Sequence, residues 1–314
     1  MAARTFQHTP VLLNEAMELL QCRPGGVYVD ATVGGCGYIE AILERTSPDG
    51  VVLGVDWDAK TLAAARMRLQ DFRRRVILRR ADFARLPETM LEFGLGPVDG
   101  IVADLGISSL QLDDPERGFS FQQDGPLDMR MDQSRMQTAA DLVNSLPEKQ
   151  LSELILSLGE ERWARRIARA IVLRRPSKAF TRTRDLAEVI TEVVPKSADA
   201  RRIHPATRTF QALRLAVNQE LVSVELFLGG VLDLLKPGGR LCIIAFHSLE
   251  DRLVKQYFRR WASSCRCAPE LPRCQCSGQP LVRLLTRKAL RPQEQELRGN
   301  PRSRSGRLRA VEKC

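Results

Sequence analysis

Val27-Tyr28-Val29-Asp30-Ala31-Thr32-Val33-Gly34-Gly35-Cys36-Gly37 is a short β-rich run that closes on an acid and opens into a glycine cluster. In an open α/β sheet the loop beyond the carboxyl end of the first parallel strand receives nucleotide-like ligands, and glycines there allow close backbone approach. Outward from this stretch the pattern repeats. Val51-Val52-Leu53-Gly54-Val55-Asp56 follows a helix-like segment, and Val76-Ile77-Leu78 and Val98-Asp99-Gly100-Ile101-Val102-Ala103-Asp104 come next. Strand and helix in alternation predict a parallel, doubly wound sheet. Between them, Ala59 to Phe72 places Leu62, Ala65, Met67, Leu69 and Phe72 on a broadly apolar helical face suited to packing on that sheet.

The alternation breaks at Asp113-Asp114-Pro115. Segments 142–158, 161–174 and 183–194 read as helices separated by Gly159, Pro176 and Pro195. After His204-Pro205-Ala206-Thr207 a long helical pattern runs to Leu235, stops at Lys236-Pro237-Gly238-Gly239 and leads into the strand-like Arg240 to Phe246. The expected organisation is a sheet domain in two parts, 1–114 and 207–314, around an inserted helical substrate-recognition domain at 115–206.

The 314 residues are 44% hydrophobic and 27% charged, ordinary for a globular protein. No apolar run approaches the ~20 residues of a membrane helix, and Met1 to Phe6 has no apolar signal region, so the expected location is the cytoplasm, with no membrane partner. A formal charge of +10 favours a polyanionic partner, with nucleic acid foremost. Arg162, Arg165, Arg166, Arg169, Arg174 and Arg175 surround the middle helix of the insertion, and 291–314 forms a basic C-terminal tail; both read as RNA contacts or as solvated charge. Eight cysteines in a long chain do not suggest a disulfide scaffold. Cys265-x-Cys267 and Cys274-x-Cys276 supply either four zinc ligands or two reduced turns around Pro269 and Pro272.

Counting six from Gly35 reaches Glu40, so the third glycine of a dinucleotide fingerprint is missing. Asp56 stands 19 residues after Gly37, close to the ~20 expected of an acid that accepts from ribose hydroxyls. Asp82-Phe83 after the third strand and Asp104 ending the fourth suit an aromatic, cationic, phosphate-free ligand, S-adenosylmethionine (SAM) rather than NAD. Phe83 against adenine competes with ordinary core packing, and Asp56 on ribose with a surface turn.

A wider set of motifs then resembles the bacterial small-subunit ribosomal RNA cytosine-N4 methyltransferases of the MraW type. The resemblance covers nearly the whole chain and rests on 8–13 (His-Thr-Pro-Val-Leu-Leu), 104–113 (Asp-Leu-Gly-Ile-Ser-Ser-Leu-Gln-Leu-Asp), 117–121 (Arg-Gly-Phe-Ser-Phe) and 125–131 (Gly-Pro-Leu-Asp-Met-Arg-Met), with 204–214, 246–252 and 300–305. It implies a class I, Rossmann-like SAM fold with an inserted helical domain, and methylation of a decoding-centre cytidine at its exocyclic N4, on small-subunit rRNA or the assembling subunit. It also implies cofactor contacts from the loop Gly35, Cys36, Gly37 and Tyr38, and from Asp56, Phe83, Asp104 and Gln111. Where the family loop reads Gly-Gly-His, this chain has Cys36-Gly37-Tyr38, so backbone contacts rather than a histidine side chain carry over.

Cytosine N4 is a poor nucleophile because its lone pair is delocalised, so orienting the amine should dominate catalysis. Ser108 and Ser109, following the fourth strand, are candidates for that task or for a helix N-cap. His204 and His247 read as RNA contacts or structural hydrogen bonders more readily than as general bases. Arg208 and Arg214 are expected on phosphate, and Leu127, Met129 and Met131 in a base pocket or in the core. A non-catalytic RNA-binding assembly factor on a SAM-type fold is the alternative, with the altered glycine loop in its favour; a small-molecule methyltransferase would leave the basic segments unexplained.

Overall fold

The structure, a computed structural model, describes residues 10–195, 204–265, 275 and 278–314. The chain divides into two compact units, Met1–Gly106 with Leu221–Cys314, and Ile107–Glu220. In unit 1 the elements run α1 (Leu13–Leu20), β1 (Val27–Asp30), α2 (Gly37–Arg45), β2 (Val51–Asp56), α3 (Ala59–Arg68), β3 (Val76–Arg80), α4 (Leu86–Glu92) and β4 (Val98–Asp104). Unit 2 holds α5 (Ser109–Asp113), α6 (Ala139–Ser145), α7 (Glu148–Gly159), α8 (Ala164–Arg174), α9 (Thr183–Val193) and α10 (Thr207–Asn218). The chain returns to unit 1 with α11 (Glu220–Gly230), β5 (Leu235–Ala245), α12 (Ser248–Trp261), β6 (Val282–Leu284), α13 (Glu294–Gly299) and β7 (Arg307–Lys313).

The seven strands form one sheet in the order β3-β2-β1-β4-β5-β7-β6, with β1 to β5 parallel and β7 antiparallel to both neighbours. It is the α/β, Rossmann-like class I fold. The strand order reverses between β1 and β4, and the crevice at that switch point is where such sheets bind ligands. Alternation along each strand sends successive side chains to opposite faces. Val29, Leu53, Ile101, Ala103, Leu241 and Ile243 pack with α4, α11 and α12 residues on one face; Tyr28, Val52, Val102, Cys242 and Ile244 pack with α1, α2 and α3 residues on the other. Burial on both faces explains why these strands read as near-continuous apolar runs. Met67, placed by periodicity on the packed face of α3, is 77% exposed because the buried face follows Thr61, Leu62 and Ala65, and two residues past Ala65 the helix has turned to the other side.

The basic C-terminal stretch is not a tail. Arg307–Lys313 is β7, paired to β5 from Arg240↔Glu312 to Ala245↔Arg307 and to β6 on its other side. Its charges are consumed locally: Arg309 Nε and Arg307 Nη1 donate to Asp251 at 2.7 and 3.0 Å, and Lys313 Nζ to the Leu232 and Leu235 carbonyls at 2.7 Å each. The apolar alternation Leu308, Ala310 within the charge run was the overlooked strand signal.

Unit 2 extends to either side of the expected 115–206, because α5 precedes it and α10 packs on α7 and α6. The expected helix over 142–158 is two helices, α6 and α7, parted by Pro147 before the first turn of α7. The long helix expected up to Leu235 breaks at Gln219, which is left-handed with φ 54°. Within the loop 115–131, Gly118 has φ 68° and a Cβ there would sit 2.0 Å from the Pro126 carbonyl oxygen, so only glycine fits. Leu127, Met129 and Met131 are buried. Among the described residues no single helix is long and apolar enough to cross a membrane.

Candidate functional site

In unit 1, β1, β2 and β4 all end on aspartates, Asp30, Asp56 and Asp104. Asp30 is fully buried; its Oδ1 accepts from Thr32 N–H at 3.0 Å, and the Thr32 hydroxyl in turn accepts from Asp104 N–H at 2.6 Å. One threonine therefore ties the ends of β1 and β4. Asp30 Oδ2, Asp104 Oδ1 and His247 Nε2 are buried with no hydrogen-bond partner among the described residues. All three sit at the carboxyl ends of neighbouring parallel strands. An unsatisfied buried polar group costs about 1–3 kcal/mol, more when charged, so the two carboxyl oxygens call for a ligand that supplies donors, whereas His247 Nε2, which carries the ring proton because Nδ1 accepts, is itself a donor.

The electrostatics agree. Burial pushes Asp30 up to about 8, against the Thr32 N–H bond and with the Asp56 charge adding to it. Asp104 is driven well above the ordinary carboxylate range by burial first, then by Asp30 and Glu250. Glu250, on the first turn of α12 and 1% exposed, completes a reciprocal cap: its N–H donates to His247 Nδ1 at 3.4 Å, and its Oε2 accepts from Phe246 N–H at 3.0 Å. His247 Nε2 lies 3.1 Å from Glu250 Oε1, close enough for an ion pair but not aligned as a hydrogen bond. The histidine is thus held structurally. A cluster of buried acids favours a cation, and the α-ammonium and sulfonium of SAM meet that requirement.

The adjoining end of β2 suits a nucleoside. Asp56 accepts from Asp58 N–H at 2.9 Å and from Gly34 N–H at 3.1 Å, which fixes the carboxylate against the glycine loop. Trp57, Phe83 and Phe227 form an edge-to-face series with centroids 6.0 and 5.5 Å apart. Phe83 is 7% exposed and packed in the core as well as lying beside this edge. Asp82 caps the turn that follows, accepting from Ala84 N–H and the Ser223 hydroxyl, both at 2.9 Å.

The loop's departures from the family pattern are resolved by burial. Cys36 caps α2 in the left-handed region at φ 67°, and burial pushes its thiol up to about 12, so it stays neutral. The Tyr38 side chain turns into the core, where its hydroxyl donates to the Val11 carbonyl. A Cβ on Gly37 would come within 2.1 Å of Pro10 Cγ. What the loop can offer a ligand is therefore backbone from Gly35 to Tyr38.

Ser108, Ser109 and Gln111 belong to unit 2. Ser108 and Gln111 form a capping box on α5, with Gln111 N–H to Ser108 Oγ at 3.3 Å and Ser108 N–H to Gln111 Oε1 at 3.0 Å. Arg214 is not held for phosphate: it donates twice to the buried Glu220, at 2.8 and 2.9 Å. Arg208 is exposed, and His204 stacks on Phe121 at 4.5 Å. On α8, Arg165, Arg166 and Arg169 are exposed opposite the buried Ile167, Ala168 and Ile171, whereas Arg174 pairs with Glu192 at 3.0 Å and Arg175 binds the Val143 and Leu146 carbonyls. A cavity of about 200 Å³ in the same unit is lined by Arg174, Lys178, Asp185 and Glu192, whose charges pair among themselves. Of the proposed zinc ligands, Cys267, Cys274 and Cys276 lie outside the described residues; Cys265 is exposed, and no metal-binding cluster occurs among the described residues.

Sequence reading named Asp56, Phe83 and Asp104 but passed over Asp30, Thr32 and Glu250. Asp30 carried the same signal as the other two, an acid ending an apolar strand. Thr32 carried none, because its bond to Asp104 spans 72 residues, whereas Glu250 stands three residues after His247 with capping-box spacing and only its nearness to Asp104 depends on distant segments.

Comparison with known proteins matches the MraW methylase family over residues 5–314. Relatives named ribosomal RNA small subunit methyltransferase H include that of Syntrophobacter fumaroxidans, 64% identical over 98% of this chain and 97% of its own. Those of Geotalea daltonii and Symbiobacterium thermophilum are 53% and 51% identical, each over 98% of this chain and over 99% and 97% of their own length.

Proposed function

This chain belongs to the MraW methylase family, and from that premise we propose that it methylates the exocyclic N4 of a decoding-centre cytidine in small-subunit ribosomal RNA. The coarser activity, SAM-dependent methylation of ribosomal RNA, follows from the family and its named relatives. The observation that carries the cofactor assignment is the row of buried, unpartnered polar atoms, Asp30 Oδ2, Asp104 Oδ1 and His247 Nε2, beside the Asp56 and Phe83 edge. Bound there, SAM supplies an electrophilic methyl on its sulfonium.

In this reading Asp56 accepts from the ribose hydroxyls, Trp57 and Phe83 bound the adenine, and Asp30 and Asp104 hold the cationic end. The backbone of Gly35 to Tyr38 approaches the methionine moiety, and Gln111 joins the cofactor contacts. Ser108 and Ser109, which follow β4 through Gly106, orient the target amine; Ser108 does so in addition to capping α5. The exposed Arg165, Arg166 and Arg169 of α8 and Arg208 contact RNA phosphates, with the protein acting in the cytoplasm on the assembling small subunit.

The test is methylation in vitro. Small subunits from a strain lacking the relative's gene are incubated with the protein and SAM, and the rRNA is mapped by mass spectrometry. One added methyl on a single cytidine, fragmenting as a base modification at N4, is expected; a methyl at C5 or on the ribose would overturn the N4 assignment. An absence of SAM binding with RNA affinity retained would favour a non-catalytic assembly factor.

A further inference from the structure

Asp30 Oδ2 and Asp104 Oδ1 are both buried and unpartnered among the described residues, at the ends of adjacent strands tied together by Thr32. The groups facing the pair are acidic or neutral. Asp56 faces it from β2 and Glu250 from α12, while Tyr38 and Cys36 face it from α2. His247, at the start of α12, is occupied at Nδ1 by the Glu250 N–H. Neighbouring buried carboxyls in such surroundings cannot all ionise, so the free site retains protons that ordinary aspartates lose. A cation placed against the two bare oxygens shifts the balance towards ionisation, its one added positive charge compensating the loss of one proton from the pair.

We propose that Asp30 and Asp104 form a proton-exchanging clamp for the cofactor, in which a proton held by the free protein passes to solvent as the cationic end of SAM docks. The proposal rests on the SAM site described above, in which Asp30 and Asp104 hold the cationic end, and adds proton exchange to that contact. It makes cofactor capture, as distinct from methyl transfer, sensitive to pH. With one proton released, affinity rises about tenfold per pH unit while the free site is still protonated, and levels off once that proton is lost. Burial that raises Asp30 to about 8 places the rising limb across neutral pH.

The experiment is calorimetric titration of the full-length protein with SAM at about pH 6 and pH 7, below the ~7.7–8.0 at which an α-amino group itself titrates. Each pH is run in two buffers of different ionisation enthalpy, so that protons are counted directly. Release of close to one proton per SAM, with roughly tenfold tighter binding at the higher pH, is expected. In Asp30→Asn the proton count and the pH dependence should both shrink, with folding checked by circular dichroism; should that variant not fold, the wild-type proton count decides alone. Binding of SAM without proton exchange and with a pH-independent Kd overturns this proposal and leaves the cofactor site standing. Failure to bind at either pH overturns both.

Discussion

The carboxyl edge of the sheet in unit 1 and the motif-rich core of unit 2 are both dense in polar side chains, yet they use them oppositely. At the sheet edge Asp30, Asp104 and His247 keep buried atoms without hydrogen bonds among the described residues. In unit 2 most of the motif side chains close on one another, although the buried Thr209 hydroxyl has no hydrogen bond among the described residues. Arg117 donates to the Arg130 and Met131 carbonyls at 2.9 Å each, Arg130 pairs with Asp128 at 2.7 Å, and Asn218 bridges Met129 and Met131 at 2.8 Å each. Family-type motifs occur in both places, so a motif alone does not separate residues that wait for a ligand from residues that hold a loop. The separation comes from asking where each buried polar atom finds its partner.

That contrast can be broken by removing a closed pair and an open group in turn. Arg214→Ala removes the bidentate partner of the buried Glu220 carboxylate and should cost about 3–5 kcal/mol in urea unfolding, whereas SAM affinity of the folded protein should be unchanged. Loss of SAM binding without loss of stability would place Arg214 among the functional residues. Asp56→Ala removes the carboxylate proposed to accept from ribose, at about 1.5–3 kcal/mol per charge-assisted bond, so SAM binding should fall beyond easy detection while RNA affinity holds. Unchanged SAM affinity would move the cofactor away from β2.

Asp251 sharpens the comparison inside unit 1, because it is an acid whose partners are in the chain. Burial alone would raise it, but Arg309 and Arg307 outweigh burial and hold it below the ordinary carboxylate range. A depressed folded value contributes stability above the unfolded value and loses it as pH falls through the folded one. Asp251→Asn should therefore cost about 1–3 kcal/mol at neutral pH and progressively less below about pH 4, read as the difference in unfolding midpoints. Asp30, shifted upward, shows the opposite sign: between the ordinary carboxylate value and about 8 it weakens the free protein as pH rises.

Ser108 lies on the boundary between the two classes. As an N-cap alone, Ser108→Ala should cost about 1 kcal/mol of stability and leave kcat unchanged; a larger fall in kcat with unchanged KM for RNA would make it a catalytic residue. The smallest stability effect is expected for Arg165, Arg166 and Arg169 on α8. Replacing all three with Gln should alter stability by less than about 0.5 kcal/mol per site, while the salt dependence of RNA binding flattens by about 0.7–0.9 per lost phosphate contact. An unaltered salt slope would mean that this face is merely solvated.

Much of the sheet was legible from local pattern. Apolar runs ending on Asp30, Asp56 and Asp104, with glycines after the first, announce parallel strands and a ligand edge, since strand periodicity and loop chemistry are properties of neighbouring residues. The helical character of 183–194 was equally local, whereas the expected break after Asp114 falls inside unit 2, which begins at Ile107. What local pattern misjudged was the fate of charge. The basic stretch 291–314 read as a tail because Asp251, which neutralises Arg307 and Arg309, is 56 and 58 positions away. Arg214 read as a phosphate contact, although its carboxylate is only six residues on, because the helix break at Gln219 that brings Glu220 back against it leaves no composition signal. By itself the sequence determined β1 to β5, the acids that end β1, β2 and β4, and the family. Only the tertiary structure decided which acids and arginines are satisfied within the chain and which remain for a ligand, because a buried group's state depends on partners that folding brings together across distances no sequence window spans.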